Sequence, residues 1–143
     1  MIGFFIAIIS GALMSIQGVF NTQVTKTSGV WAAASFVQFS ALLVCLGAWT
    51  IFERGSLMKV LDVEPKYMLL GGVIGAFITY TVIQSMSSLG PAKAAMLIVI
   101  SQLIVAYLIE VFGIFGVDKT GFSWRKIMGM GIAIIGIIIF KWE

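Results

Sequence analysis

The sequence has no histidine, a single cysteine (Cys45) and two prolines in 143 residues, and only 10% of it is charged. Without histidine and with one thiol, disulfide frameworks, Cys/His zinc sites and Ser-His or Cys-His catalytic pairs are excluded. The shortage of charge excludes more. A soluble domain carries roughly 25% Asp, Glu, Lys and Arg, and nine basic and six acidic side chains cannot cover the surface of a chain this long. A water-soluble monomer is not expected. The chain is 60% hydrophobic with a net charge of +3. Its basic residues are scattered between apolar runs, the pattern of loops facing anionic lipid and not of a phosphate-tracking patch, so nucleic acid is not an expected partner.

The charge-free runs segment the chain. No charged side chain occurs over 1–25, 27–52 or 67–92. A bilayer core of about 30 Å needs roughly 20 helical residues, so each run is long enough to cross. The run 94–109 continues past Glu110 to 117. The last run, 127–140, reaches spanning length if Arg125, Lys126 and Lys141 snorkel. The expectation is an all-α integral membrane protein: one domain over 1–143 with helices near 2–22, 31–52, 67–87, 92–113 and 124–141. The runs lack the period-2 alternation of a β-barrel.

Punctuation supports these cuts. Thr25-Lys26-Thr27-Ser28-Gly29 reads as a polar turn. Six charged residues fall between Glu53 and Lys66, with room for a short interfacial helix around Leu57–Leu61. Leu89-Gly90-Pro91 reads as a turn with Pro91 in a first helical turn, and Ser123 as the N-cap of the last helix. Trp31, Trp49, Tyr67, Trp124 and Trp142 fall near helix ends, where aromatic rings prefer the headgroup level; Tyr80 and Tyr107 do not. The first run is not read as a signal peptide, because no Lys or Arg precedes it and Gln17 and Asn21 stand where a cleavage region would be. One side of the membrane would hold Arg54, Lys59, Lys66, Lys119, Arg125 and Lys126, the other Lys26, Lys93 and Lys141. The positive-inside rule then places the N-terminus in the cytoplasm and the C-terminus outside the cell membrane. The bias is small and compatible with dual topology.

Polar residues inside the runs are the candidate site. Gln17 and Asn21 lie four apart on one helix face, Gln38 lies mid-way along the second helix, Tyr80 and Gln84 lie four apart on the third, and Ser101 and Gln102 on the fourth. Each amide is costly in hydrocarbon unless protein or water bonds it. Either each makes an interhelical bond, or together they line a polar pathway. Glu110 is the one acid within a span. It stands about 25 Å beyond Lys93 at 1.5 Å per residue, near the cytoplasmic boundary, and Lys119 or a partner's lysine is its expected counter-charge. Small residues recur at helical spacing: Gly3, Ala7, Gly11, Ser15 and Gly18 on the first helix, Gly71 and Gly75 on the third, and Gly129, Ala133 and Gly136 on the last. Such stripes let helices approach closely, and the last one is the candidate subunit interface. Cys45 is read as a small packing residue and the eight methionines as lipid-facing filler.

GALMSIQGVFNTQV followed by WAAASFVQFSALLV, then LGGVIGAFITYT, then SSLGPAKAAMLIVISQLIVAYLIEVFGIFG, a polar loop and a Gly-rich closing helix resemble the YdcZ-type family of the drug/metabolite transporter superfamily. The resemblance covers nearly the whole chain. It implies five transmembrane helices forming one half of an inverted-repeat transporter, and points to Gln17, Asn21, Gln38, Gln102 and Glu110. The first helix lacks the acid that small multidrug resistance proteins of the same superfamily use for proton coupling, so that mechanism does not carry over.

Secondary transporters place substrate between two inverted repeats near the midplane. One repeat is visible here, so the expected partner is the chain itself or a paralogous five-helix subunit in antiparallel orientation, besides membrane lipid. The expected function is a half-size secondary transporter moving a small organic solute or metabolite by alternating access. Aromatics near amides suggest an organic cation as one candidate solute. The alternative is a non-transporting assembly or regulatory membrane subunit. No cofactor, metal or catalytic residue is expected, because no acid–base pair can be assembled within the spans.

Overall fold

The computed structural model describes residues 1–141, without the side chain of Lys141. Trp142 and the snorkelling of Lys141 lie outside the described residues. The described residues form five α-helices: α1 Ile2–Ser28, α2 Val30–Phe52, α3 Gly71–Leu89, α4 Pro91–Phe112 and α5 Trp124–Lys141. No strand occurs among the described residues. α1, α2, α4 and the stretch Lys66–Leu89 are long and apolar enough to cross a membrane. α5 is 18 residues long and carries Arg125 and Lys126 in its first turn.

α1 runs six residues further than the expected end at 22, through the segment read as a polar turn. The hydroxyls of Thr25, Thr27 and Ser28 donate to the carbonyls of Thr22 (2.8 Å), Val24 (3.1 Å) and Val24 (3.0 Å). These side chains bond back onto the helix instead of pulling the backbone out of it. The break comes at Gly29, whose φ of 81° only glycine adopts freely. α2 ends where Arg54 turns back and its Nε donates to the Thr50 carbonyl at 3.1 Å, a cation on the negative end of the helix.

The charged connector holds two 3-10 segments, Leu57–Asp62 and Lys66–Leu70. The first falls where a short helix is expected around Leu57–Leu61. The second displaces the α-helical start of α3 from the expected 67 to Gly71. Lys66 donates to the Leu61 carbonyl at 2.6 Å and pairs with Glu64 at 3.0 Å, which ties the two segments together. Pro91 occupies the first turn of α4 as expected, after Gly90 with φ 82°. Gly113 closes α4 in the left-handed conformation.

The chain forms two compact units, Met1–Ser88 and Leu89 onward. In the first, α1 packs on α2, and α3 meets them through side chains at two glycines. At one, Gly18 admits Met86 and Val82; at the other, Gly75 lies against the Gln38 amide. Ala33, Ala34, Ile83 and Met86 are buried, so Met86 is a packing residue and not lipid-facing filler. In the second unit, α4 packs on α5. The outward side chains are those of a lipid-solvated surface: Phe4, Phe36, Phe77, Ile132 and Ile139 are all largely exposed.

Candidate functional site

In the first unit, α1 and α2 enclose an open groove of about 630 Å³. α1 brings Gln17 and Asn21 to it, together with Ser10. α2 brings Ser40 and Cys45, and Leu13, Met14, Phe20, Val37 and Val44 make up most of its apolar wall. Spacing of four on a helix puts Gln17 and Asn21 on this face. Asn21 is buried and Gln17 is exposed to the groove. Ser40 donates to the Val37 carbonyl at 2.9 Å, which leaves its oxygen as an acceptor. Cys45, read from sequence as a packing residue, is exposed and lines the groove. A lone thiol in an apolar run gives no sequence signal for this, and neither do Ser10 and Ser40.

The other polar residues of this unit stand elsewhere. Gln38 is half-buried beside Gly75, on the side of α2 that meets α3. Tyr80 stacks on Trp31 of α2, with centroids 4.7 Å apart and planes at 16°. The Gln84 amide donates to the Tyr80 hydroxyl at 3.4 Å. These contacts account for Tyr80, which the aromatic belt left unexplained.

In the second unit, Gln102 and Ser101 are exposed on α4. Glu110 Oε2 accepts from Lys126 Nζ at 2.7 Å. The expected counter-charge is Lys119 or a partner's lysine, but the loop turns the Lys119 Cβ toward Gly113 and the first turn of α5 supplies the cation from within the chain. The Tyr107 hydroxyl accepts the Ser123 N–H at 2.8 Å, and Lys126 Nζ stands 5.6 Å from the Tyr107 ring centre. Ser123 receives the N–H groups of Lys126 and Ile127 on its carbonyl, at 3.1 and 3.3 Å. Glu110, Lys126, Tyr107, Leu103, Met130 and Gly129 line a second cavity of about 330 Å³. Ala133 lies further along the same helix pair, beside Ile100 and Leu103. The space around the Gly136 Cα is open.

The long apolar helices and their exposed apolar side chains are those of a membrane protein. The family model described as "Putative inner membrane exporter, YdcZ" matches residues 2–139. The chain belongs to the YdcZ family. It is accordingly a multi-pass inner-membrane protein of a transporter family, which is not an enzyme class. No curated protein and no solved structure matches the chain. The YdcZ match includes both the α1–α2 groove and the Glu110–Lys126 pair, so neither lies in an appended segment.

Proposed function

We propose that the chain is a half-size secondary transporter: a single five-helix domain, crossing the membrane five times, that pairs in antiparallel orientation with itself or a paralogue. The observation that carries the reading is the match to an exporter family along residues 2–139. The N-terminus is cytoplasmic in the favoured orientation and the charge bias is small enough for dual topology. One half rocking against the other gives alternating access, and the cargo is a small organic solute or metabolite. Gln17 and Asn21 contact it; Gln38, Tyr80 and Gln84 in the first unit and Gln102 in the second are further pathway candidates, and Glu110 tunes transport or assembly from its place beside Lys126. Gly129, Ala133 and Gly136 supply the interface.

A non-transporting subunit would use its amides as interhelical bonds. Gln17 and Asn21 instead reach one open groove together, which favours the transporter. The test is solute uptake into liposomes against a panel of metabolites, with labelling of both termini from each side of the membrane. Uptake above protein-free liposomes and ends on opposite faces are expected. Termini on the same face of every chain would remove the five-span topology.

A further inference from the structure

Asn21 is the one buried polar side chain among the described residues, 7% exposed, and no protein group among them bonds its amide. Its open polar atoms lie in the α1–α2 groove. An amide that its own chain leaves unbonded and open to the groove is free to bond a molecule that enters it. Gln17 stands one turn away on the same face, so the groove offers two amides about 6 Å apart along the helix axis. Each amide carries one acceptor oxygen and an NH2 donor.

Everything else in the groove is neutral. No Asp, Glu, Lys or Arg occurs over 1–25 or 27–52, and the remaining polar groups are two hydroxyls and one thiol. An ion entering would exchange water for a low-dielectric wall without a counter-charge, which is unfavourable however well it fits. A neutral solute gives up only hydrogen bonds, which the amides replace. Phe20 is the one aromatic ring on the groove wall, and Trp31 and Tyr80 face each other elsewhere, so a ring cage for an organic cation is not built here. The volume falls within the usual range for small-molecule sites, as does an apolar wall with a few convergent polar groups.

We propose that the α1–α2 groove takes uncharged solutes: molecules with an apolar body and at least two hydrogen-bonding groups about one helical turn apart. The proposal rests on the transport reading above and adds the substrate class to it.

The test uses the full chain in liposomes with six probes, of which nicotinamide, thymidine and xylose are uncharged and choline, guanidinium and lactate are charged. Occupancy is read from the rate at which N-ethylmaleimide labels Cys45, the only thiol, which lines the same groove. Flux is read separately with radiolabelled solute. At least one uncharged probe should slow labelling, and Asn21→Leu or Gln17→Leu should raise the concentration needed by roughly tenfold, the value of one lost hydrogen bond. The charged probes should leave the rate unchanged. Asn21→Leu removes an unbonded amide and should unfold no more easily than the parent protein. Asn21→Asp, nearly the same shape, is the second variant and should make the groove protectable by choline. Protection by a charged probe that Asn21→Leu abolishes, protection that neither leucine variant weakens, or protection by none of the six overturns the proposal. Protection by an uncharged probe without flux overturns the transport reading and leaves the groove assignment standing.

Discussion

Replacing Gly18 by leucine should loosen α1 from α3. A Cβ at position 18 would stand 2.5 Å from Met86 Cε, 2.6 Å from its Sδ and 3.4 Å from Val82 Cγ1. Met86 is only 5% exposed, so its thioether must find another rotamer within the three-helix unit. For alanine this is a small demand, because the colliding atoms are the far end of a flexible side chain. Helix propensity also returns about 1 kcal/mol on replacing glycine, so Gly18→Ala should change stability by less than about 1 kcal/mol. Leucine adds three further carbons to the same space and should cost about 1–3 kcal/mol by overpacking. Met86→Ala alone should cost about 2–5 kcal/mol through the cavity it leaves. In the double variant the leucine fills that cavity, so the combined loss should fall short of the sum by at least about 1 kcal/mol. Reversible unfolding in mixed detergent micelles, followed by tryptophan emission, measures all four. A Gly18→Leu protein as stable as the parent, or effects that add within about 0.5 kcal/mol, would show that α1 and α3 do not meet at this glycine.

Tyr107→Phe removes the acceptor for the Ser123 N–H and should cost about 1 kcal/mol; faster amide exchange at Ser123, with exchange in the middle of α4 unchanged, is the expected signature. The Glu110–Lys126 pair is roughly half exposed on both sides, so Lys126→Ala should cost under about 1 kcal/mol. A Glu110→Lys/Lys126→Glu exchange should recover most of any loss in transport, and no recovery would mean that Glu110 acts as an acid in its own right. Gly136→Leu meets open space within the chain, so the fold should tolerate it. Weaker cross-linking between subunits would then place the interface on α5, and unchanged cross-linking would place it elsewhere.

Most of the helical layout is legible in the sequence, because charge is nearly forbidden within a span and the runs between charges are long helices or pieces of them. The errors came where polar composition stood in for backbone geometry. Thr25, Thr27 and Ser28 look like a turn, but hydroxyls can bond back to a carbonyl three or four residues earlier, so these residues lengthen α1. Lys26 then sits in the last turn, where a cation suits the helix end. The opposite error occurred at 66–70, where an apolar stretch reads as α-helix and the chain makes 3-10 turns instead.

The candidate site was legible only along single helices. The i, i+4 spacing put Gln17 and Asn21 on one face, and the fold keeps them there. It could not say which face of α2 would meet them. α2 is apolar nearly all round, so its pattern does not orient it. Gln38, the amide of α2, turns to Gly75, while Ser40 and Cys45 turn to the groove. The same limit explains the partner of Glu110. Lys119 is nearer in sequence, but the Thr120 N–H donates to the Glu110 carbonyl at 2.9 Å and the Ser123 N–H to the Tyr107 hydroxyl. Those two bonds fold the loop back along the end of α4 and deliver the first turn of α5, with Lys126, beside the carboxylate. The ion pair is therefore a consequence of how the loop satisfies its backbone, which no charge count along the sequence contains.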